Sequence, residues 1–110
     1  MTDSSSPEGA ASREPERDRR WTFLTNHAHV LICIARDPEI RLKDAADRVG
    51  ITERAAQAIL ADLVQANYVT RERVGRRNRY RVNASLPLRH EVEHSHLVGE
   101  LLELLTPDLR

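Results

Sequence analysis

The apolar positions between residues 25 and 67 fall into three blocks, and each block closes on a residue that ends helices. In the first, Val30-Leu31-Ile32-Cys33-Ile34-Ala35 is apolar without interruption. By periodicity alone so short a run fits a buried strand as well as a buried helix. Thr25 or Asn26 offers an N-cap ahead of it, and Asp37-Pro38 a stop behind it, since proline disfavours helical geometry in the residue before it. The pattern therefore predicts a helix to about Arg36, one that must be covered on several sides because it is apolar nearly all round. The second block predicts a short strand at Ile40-Arg41-Leu42 and a helix over about 43–49, burying Leu42, Ala45, Ala46 and Val49. Gly50 ends that helix where a left-handed residue is wanted, and Ile51 bridges the turn as a buried residue. The third block has the clearest period. Thr52 caps a helix over about 53–66, with Glu53 in its first turn; Ala56, Ile59, Leu60 and Leu63 form one stripe, and Arg54, Gln57, Ala58, Ala61 and Gln65 lie opposite. Asn67 tolerates the left-handed conformation and can end it.

Beyond Asn67 the period changes. Residues 68–74 and 78–83 predict two strands, with Val69, Val74, Tyr80 and Val82 as strand formers and Gly75-Arg76-Arg77 as the tip. Tyr80 and Val82 share one face of the second strand and Arg79 and Arg81 the other, which predicts a hairpin with an apolar side and an arginine side. After Pro87, residues 90–105 predict a last helix with Val98, Leu101, Leu102 and Leu105 as its stripe, widened by Leu97 and Leu104 and stopped at Thr106-Pro107. Helix, three-residue turn, helix and hairpin in this order predict a mainly α fold with a small β-hairpin wing, a winged helix-turn-helix. The organisation expected is a disordered tail over 1–18, the winged domain over 19–85 and a C-terminal helix over 86–110. The tail has no large apolar group over residues 2–9 and cannot offset its ordering entropy.

The net charge of zero first argues against a nucleic-acid binder, but its distribution reverses that. Residues 67–85 carry six arginines against Glu72 alone, while residues 86–110 carry two arginines against five acids. Phosphates respond to the field within about 8–10 Å, so a local cluster can hold DNA on a neutral chain. With 110 residues there is room for one domain, and with four aromatic residues an aliphatic core is required. One cysteine excludes an internal disulfide and fits a reducing compartment. The chain shows no leader peptide and no apolar run approaching the roughly 20 residues of a membrane span, so a cytoplasmic protein with no membrane partner is expected.

The run Leu42-Lys43-Asp44-Ala45-Ala46-Asp47-Arg48-Val49-Gly50-Ile51-Thr52-Glu53-Arg54-Ala55-Ala56-Gln57-Ala58-Ile59-Leu60-Ala61-Asp62-Leu63 resembles the helix-turn-helix of MarR-type and ArsR-type bacterial regulators. Asn67-Tyr68-Val69-Thr70-Arg71-Glu72-Arg73 resembles the start of their wing, with Asn67 where such proteins often carry glycine. The resemblance covers about residues 24–85. It implies a transcriptional regulator of double-stranded DNA, with the third helix in the major groove and the hairpin tip on the backbone or in the minor groove.

The residues permit these contacts. Arg54 can pair with guanine and Gln57 with adenine, each pair worth about 1–3 kcal/mol of discrimination. Ala58 and Ala61 let the helix sit close and can touch a thymine methyl, and Thr52 and Glu53 open the same helix. Arg71, Arg73, Arg76, Arg77, Asn78, Arg79 and Arg81 are the wing candidates for phosphate grip, with Arg76 or Arg77 able to enter a narrow minor groove. In the last helix the stripe of Leu97, Val98, Leu101, Leu102, Leu104 and Leu105 is wider than one small domain covers and predicts a homodimer interface shared with the first helix. Two-fold symmetry would suit a palindromic site.

Other readings are weaker. His90 and His94 stand four apart, with His96 nearby, but zinc sites have three or four ligands at defined spacing and no cysteine joins this set, so no metal and no cofactor is expected. Cys33, inside an apolar run, reads as a core residue. No nucleophile-base pair, phosphate loop or paired acids stand out, so an enzyme is not expected. The chemistry leaves room for a small-molecule effector between the first and last helices of a dimer. The alternative function is a winged-helix module that binds protein and not DNA, since fold alone does not fix function.

Overall fold

The computed structural model describes residues 21–106; the tail expected over 1–18 lies outside the described residues. Helix α1 (Asn26–Arg36) is capped by the Thr25 hydroxyl, which accepts from the Ala28 N–H at 3.2 Å. The apolar run is thus helical, and Val30, Leu31, Ile34 and Ala35 are buried among α2, α3, β2 and α4, which cover it on several sides as an all-apolar helix requires. Ile32 and Cys33 are half-buried against the same core.

Helix α2 (Leu42–Val49) follows directly, burying Ala45 and Ala46 fully and Leu42 and Val49 in part. The strand expected at Ile40-Arg41-Leu42 is absent. Asp37–Ile40 is instead a tight turn in which the Asp37 carboxylate accepts from Glu39 N at 3.2 Å and the Asp37 carbonyl from Ile40 N at 2.9 Å. With α2 starting at Leu42, too few residues remain for a ladder, and one backbone bond, Tyr80 N to the Pro38 carbonyl at 2.8 Å, joins this loop to the wing.

Gly50 leaves α2 at φ 88°, and the Ile51 N–H returns to the Ala46 carbonyl at 3.0 Å. A left-handed residue with a Cβ costs about 1–2 kcal/mol. Gly50→Ala is expected to lower the melting temperature by roughly 4–8 °C per kcal/mol for a domain of this size, read by thermal denaturation.

Helix α3 (Glu53–Gln65) is capped by the Thr52 hydroxyl, which accepts from Ala55 N at 3.0 Å, and buries the expected stripe Ala56, Ile59, Leu60 and Leu63. Its C-terminus turns through Asn67, the one non-glycine residue with positive φ among those described, at 72°. Asn67 N bonds to the Val64 carbonyl and Tyr68 N to the Leu63 carbonyl, the paired bonds of a Schellman cap, which deliver the chain straight into the hairpin.

Strands β1 (Val69–Val74) and β2 (Arg77–Val82) pair antiparallel from Val69–Val82 to Val74–Arg77. The tip is therefore the two residues Gly75 and Arg76; Gly75 takes φ 65° and Arg76 does not, as in a type II′ turn. Val69 and Tyr80 anchor the base of the hairpin in the core.

The last helix, α4, spans Val98–Leu105 and not 90–105. Residues 87–97 form a looped excursion closed by a Pro87–Leu97 bridge and by Leu88 N to the His96 carbonyl at 2.9 Å. Between His90 and His96 the sequence offers Val92 as its one apolar side chain, and Val92 is exposed, so a helix there would have no face to bury. Arg36 donates to the Leu105 carbonyl at 3.1 Å, placing a cation on the negative end of α4. Tyr68 and Tyr80 are buried; Trp21 and Phe23 are exposed and meet edge to face at 5.0 Å.

Candidate nucleic-acid interface

The exposed side of α3 follows from its amphipathic period. With Ala56, Ile59, Leu60 and Leu63 buried, Arg54, Gln57, Ala58 and Ala61 are left exposed, as the sequence predicts. Glu53 is exposed in the first turn, and the Thr52 hydroxyl is occupied in capping. The surface presented thus carries one guanidinium, the amides of Gln57 and Gln65 and the Glu53 carboxylate among small side chains.

The wing differs from expectation in how its arginines divide. Residues paired across an antiparallel ladder share a face. The register therefore places Arg71 and Arg73 on the face of Tyr80 and Asn78, and Arg77, Arg79 and Arg81 on the face of Glu72. The hairpin has no separate apolar and arginine sides. Its apolar face ends where Tyr80 meets the core, and beyond that point arginines project from both faces. All six are exposed, while Asn78 is half-buried. Arg76 stands in the turn itself, and Arg73 Nε donates to the Gly75 carbonyl at 3.2 Å, bracing the tip.

The two faces carry unequal net charge. Glu39, from the turn ahead of α2, accepts from Arg79 through one carboxylate oxygen, Oε2, with Arg79 donating a terminal N–H at 2.7 Å and Nε–H at 3.2 Å. The hydrogen bond from Arg79, and after it the Arg79 charge, hold the Glu39 carboxyl below its usual range; the same contact raises Arg79 further. Glu72, opposite Arg79 in the ladder, adds to the field on that guanidinium. Arg77 donates to the backbone carbonyl of Glu39 at 3.1 Å, a neutral acceptor that leaves its charge uncompensated by a hydrogen-bonded acid. Nothing in the sequence flags Glu39, which lies in no motif and reaches the wing only through the placement of the 37–40 turn.

The C-terminal candidates also separate. Val98 and Leu102 are in the core of their own chain, whereas Leu104 is 75% exposed, Leu97 is exposed and Leu101 and Leu105 are half-buried. Beside them lies an open cleft of about 1110 Å³ between the N-terminal half of α1, the end of α3, the 88–93 segment and α4, with Phe23, Leu31, Leu63, Leu88 and Leu101 among its walls. At its rim His27 Nε2 meets Asp62 at 2.8 Å, linking α1 to α3. The histidines weighed as metal ligands are not brought together. His90 Nδ1 accepts from Val92 N at 3.0 Å, His96 Nδ1 faces Glu100 at 2.7 Å, and the helix that would have aligned His90 with His94 is not formed. Among the described residues no group of three such side chains converges. Burial pushes the Cys33 thiol up, against the opposing pull of Arg48 and Arg36. No helix among the described residues is long and apolar enough to cross a membrane.

A MarR family protein of Mycobacterium tuberculosis, solved in complex with salicylic acid, is similar in fold, with a TM-score of 0.50 and 18% sequence identity. The likeness covers 91% of this chain but 63% of that one, so this chain spans less than two-thirds of that protein's length. At that identity it speaks to the architecture, four helices and an antiparallel hairpin in a MarR-like winged helix. No curated protein matches the sequence. A family model does: that of the MarR family matches residues 22–79, from the approach to α1 to the second strand of the wing, just over half of the sequence. The chain belongs to the MarR family.

Proposed function

We propose that the protein acts as a homodimer, with α3 in the major groove and the wing on the phosphate backbone or in the minor groove of the same duplex. The observation that carries this is the exposed pairing of α3 with the hairpin. Arg54, Gln57, Ala58 and Ala61 form the solvent side of a helix whose Schellman cap leads without a linker into a wing bearing arginines on both faces. Arg54 and Gln57 read base edges, with Thr52 and Glu53 at the helix start. Arg71, Arg73, Arg76, Arg77 and Asn78 grip phosphate. Base readout is sparse, since two of the exposed positions on α3 are alanines. Most of the affinity therefore comes from charge.

In this reading the dimer forms through the cleft and the outer side of α4, where Leu97, Leu101, Leu104 and Leu105 await cover and Phe23, 92% exposed, stands at the edge. Val98 and Leu102 support that surface from within. A small-molecule effector, as the salicylic acid of the structural relative suggests, would act by changing this junction. The single, half-buried cysteine fits a protein of the reducing cytoplasm.

Fluorescence anisotropy on labelled duplexes over a range of salt tests the proposal. Each phosphate contact contributes about −0.9 to the slope of log affinity against log salt. The four wing arginines named above predict a slope of about −3.6 per protomer, to which the neutral Asn78 adds nothing. A flat dependence would transfer the family's regulatory role in this chain to protein contacts.

A further inference from the structure

Among the wing arginines, one is placed differently from the rest. The Asp37–Ile40 turn lies along the outer edge of β2 and touches it at three positions: the Glu39 carboxylate holds Arg79, the Glu39 carbonyl holds Arg77, and the Pro38 carbonyl holds Tyr80 N–H. The turn is fixed internally by the Asp37 contacts to Glu39 and Ile40, and Ile40 is buried. Two residues later the chain enters α2, the first helix of the helix-turn-helix. A carboxylate that binds the wing from this turn therefore ties the hairpin to the frame that carries α3. Two acids converge on Arg79, Glu39 by direct contact and Glu72 from across the ladder, whereas Arg71 and Arg73 share the opposite face with no acid.

We propose that Glu39 is a positioning residue that makes Arg79 a strut between the wing and the helix-turn-helix instead of a phosphate contact. An ion pair is neutral, so a phosphate that approaches it displaces few condensed counterions from DNA, and it meets the Glu39 carboxylate as well. The bound geometry is set before DNA arrives, since the wing's angle is fixed by three contacts to a rigid turn. By sequence Arg79 is one wing arginine among six; in this assignment the wing's grip comes from Arg71, Arg73, Arg76 and Arg77.

The inference rests on the DNA reading for one of its consequences and is independent of it for the other, so two measurements are made on the same variants of the full chain. The first is backbone amide hydrogen exchange of the free protein. Glu39→Gln and Arg79→Gln should each speed exchange at Tyr80 N–H by about threefold, a change in keeping with one exposed pair, while Arg76→Gln leaves it unchanged. The second is the salt slope for a labelled mixed-sequence duplex. Arg76→Gln should lose about 0.9, Glu39→Gln, which frees the Arg79 charge, should steepen the slope by about 0.9, and Arg79→Gln, which frees the Glu39 carboxylate, should flatten it. The double variant Glu39→Gln/Arg79→Gln should return to the wild-type slope. Equal Tyr80 exchange in all variants would overturn the strut whether or not DNA is bound. A loss for the double variant matching that of Arg76→Gln would overturn it from the other side, making Arg79 an ordinary phosphate ligand. Tyr80 exchange that responds as expected, in a wild type whose binding ignores salt, would keep the strut and remove the DNA reading.

Discussion

Replacing Arg76 and Arg77 together by alanine is expected to weaken binding to every duplex by a similar factor and to flatten its dependence on salt. Arg76 occupies the second position of the hairpin turn and Arg77 opens β2, and both are exposed. Neither is hydrogen-bonded to an acid: the Arg77 side chain donates to the Glu39 backbone carbonyl and feels the Glu39 carboxylate only through space. Their charges are therefore free to replace counterions at the phosphates. Two lost contacts should reduce the slope by about 1.8 per protomer. If each charged hydrogen bond contributes about 1.5 kcal/mol, affinity falls about a hundredfold per protomer at low salt. Folding stability should move by less than about 0.5 kcal/mol, because both side chains lie at the surface. Anisotropy on several unrelated duplexes, with a urea melt of each protein, reads all three quantities. A loss confined to one sequence would show that the tip reads base edges. No loss at all would take the wing out of the interface.

The parts of the molecule legible in the sequence are those that local chemistry decides. Thr25 and Thr52 cap their helices, Gly50 and Asn67 end theirs with positive φ, and the stripe Ala56, Ile59, Leu60 and Leu63 is buried in full. Each of these depends on residues within one or two turns. What the sequence hides is set across the chain. Tyr80, Val82, Arg79 and Arg81 alternate correctly along β2, but the place of Arg71 and Arg73 depends on register, which follows from the length of the turn. Sequence predicts a three-residue tip; the hairpin uses two, and this fixes which residues of β1 oppose those of β2. Glu39 lies forty residues from Arg79 and carries no local signal. Sequence alone predicts too long a last helix because Leu97 to Leu105 sets a strong stripe and the polar segment before it contains good helix formers. Propensity extended the helix where no buried face supports it. Of the candidate interface, α3 was legible residue by residue, and the wing in composition but not in arrangement.

Gly99 makes the second large prediction, and here propensity and packing give opposite signs. In the first turn of α4, glycine is the less favourable residue by about 1 kcal/mol relative to alanine, so Gly99→Ala would be expected to stabilise an isolated helix. In the folded chain Gly99 N donates to the Ala84 carbonyl at 3.0 Å, and Val98 N beside it to the Leu86 carbonyl at 2.8 Å. The start of α4 is thus laid against the turn that follows β2. A Cβ at position 99 would stand 2.7 Å from the Ala84 Cβ and 2.8 Å from the Ala84 carbonyl oxygen. Both are closer than packed atoms come, and neither belongs to a flexible side chain that can swing away. The helix must lift, which draws Val98 and Leu102 out of the core that α1 and the wing base complete. The net effect expected is a loss of about 2–3 kcal/mol in a urea melt, the overpacking cost outweighing the gain in helix propensity. Ala84→Gly in the same chain should recover only part of it, since the carbonyl contact remains. If α4 also forms the dimer surface, Gly99→Ala should shift sedimentation toward the monomer and weaken DNA binding together. A Gly99→Ala protein more stable than wild type would mean that α4 does not lie against Ala84, and the base of the proposed dimer surface would have to be placed elsewhere.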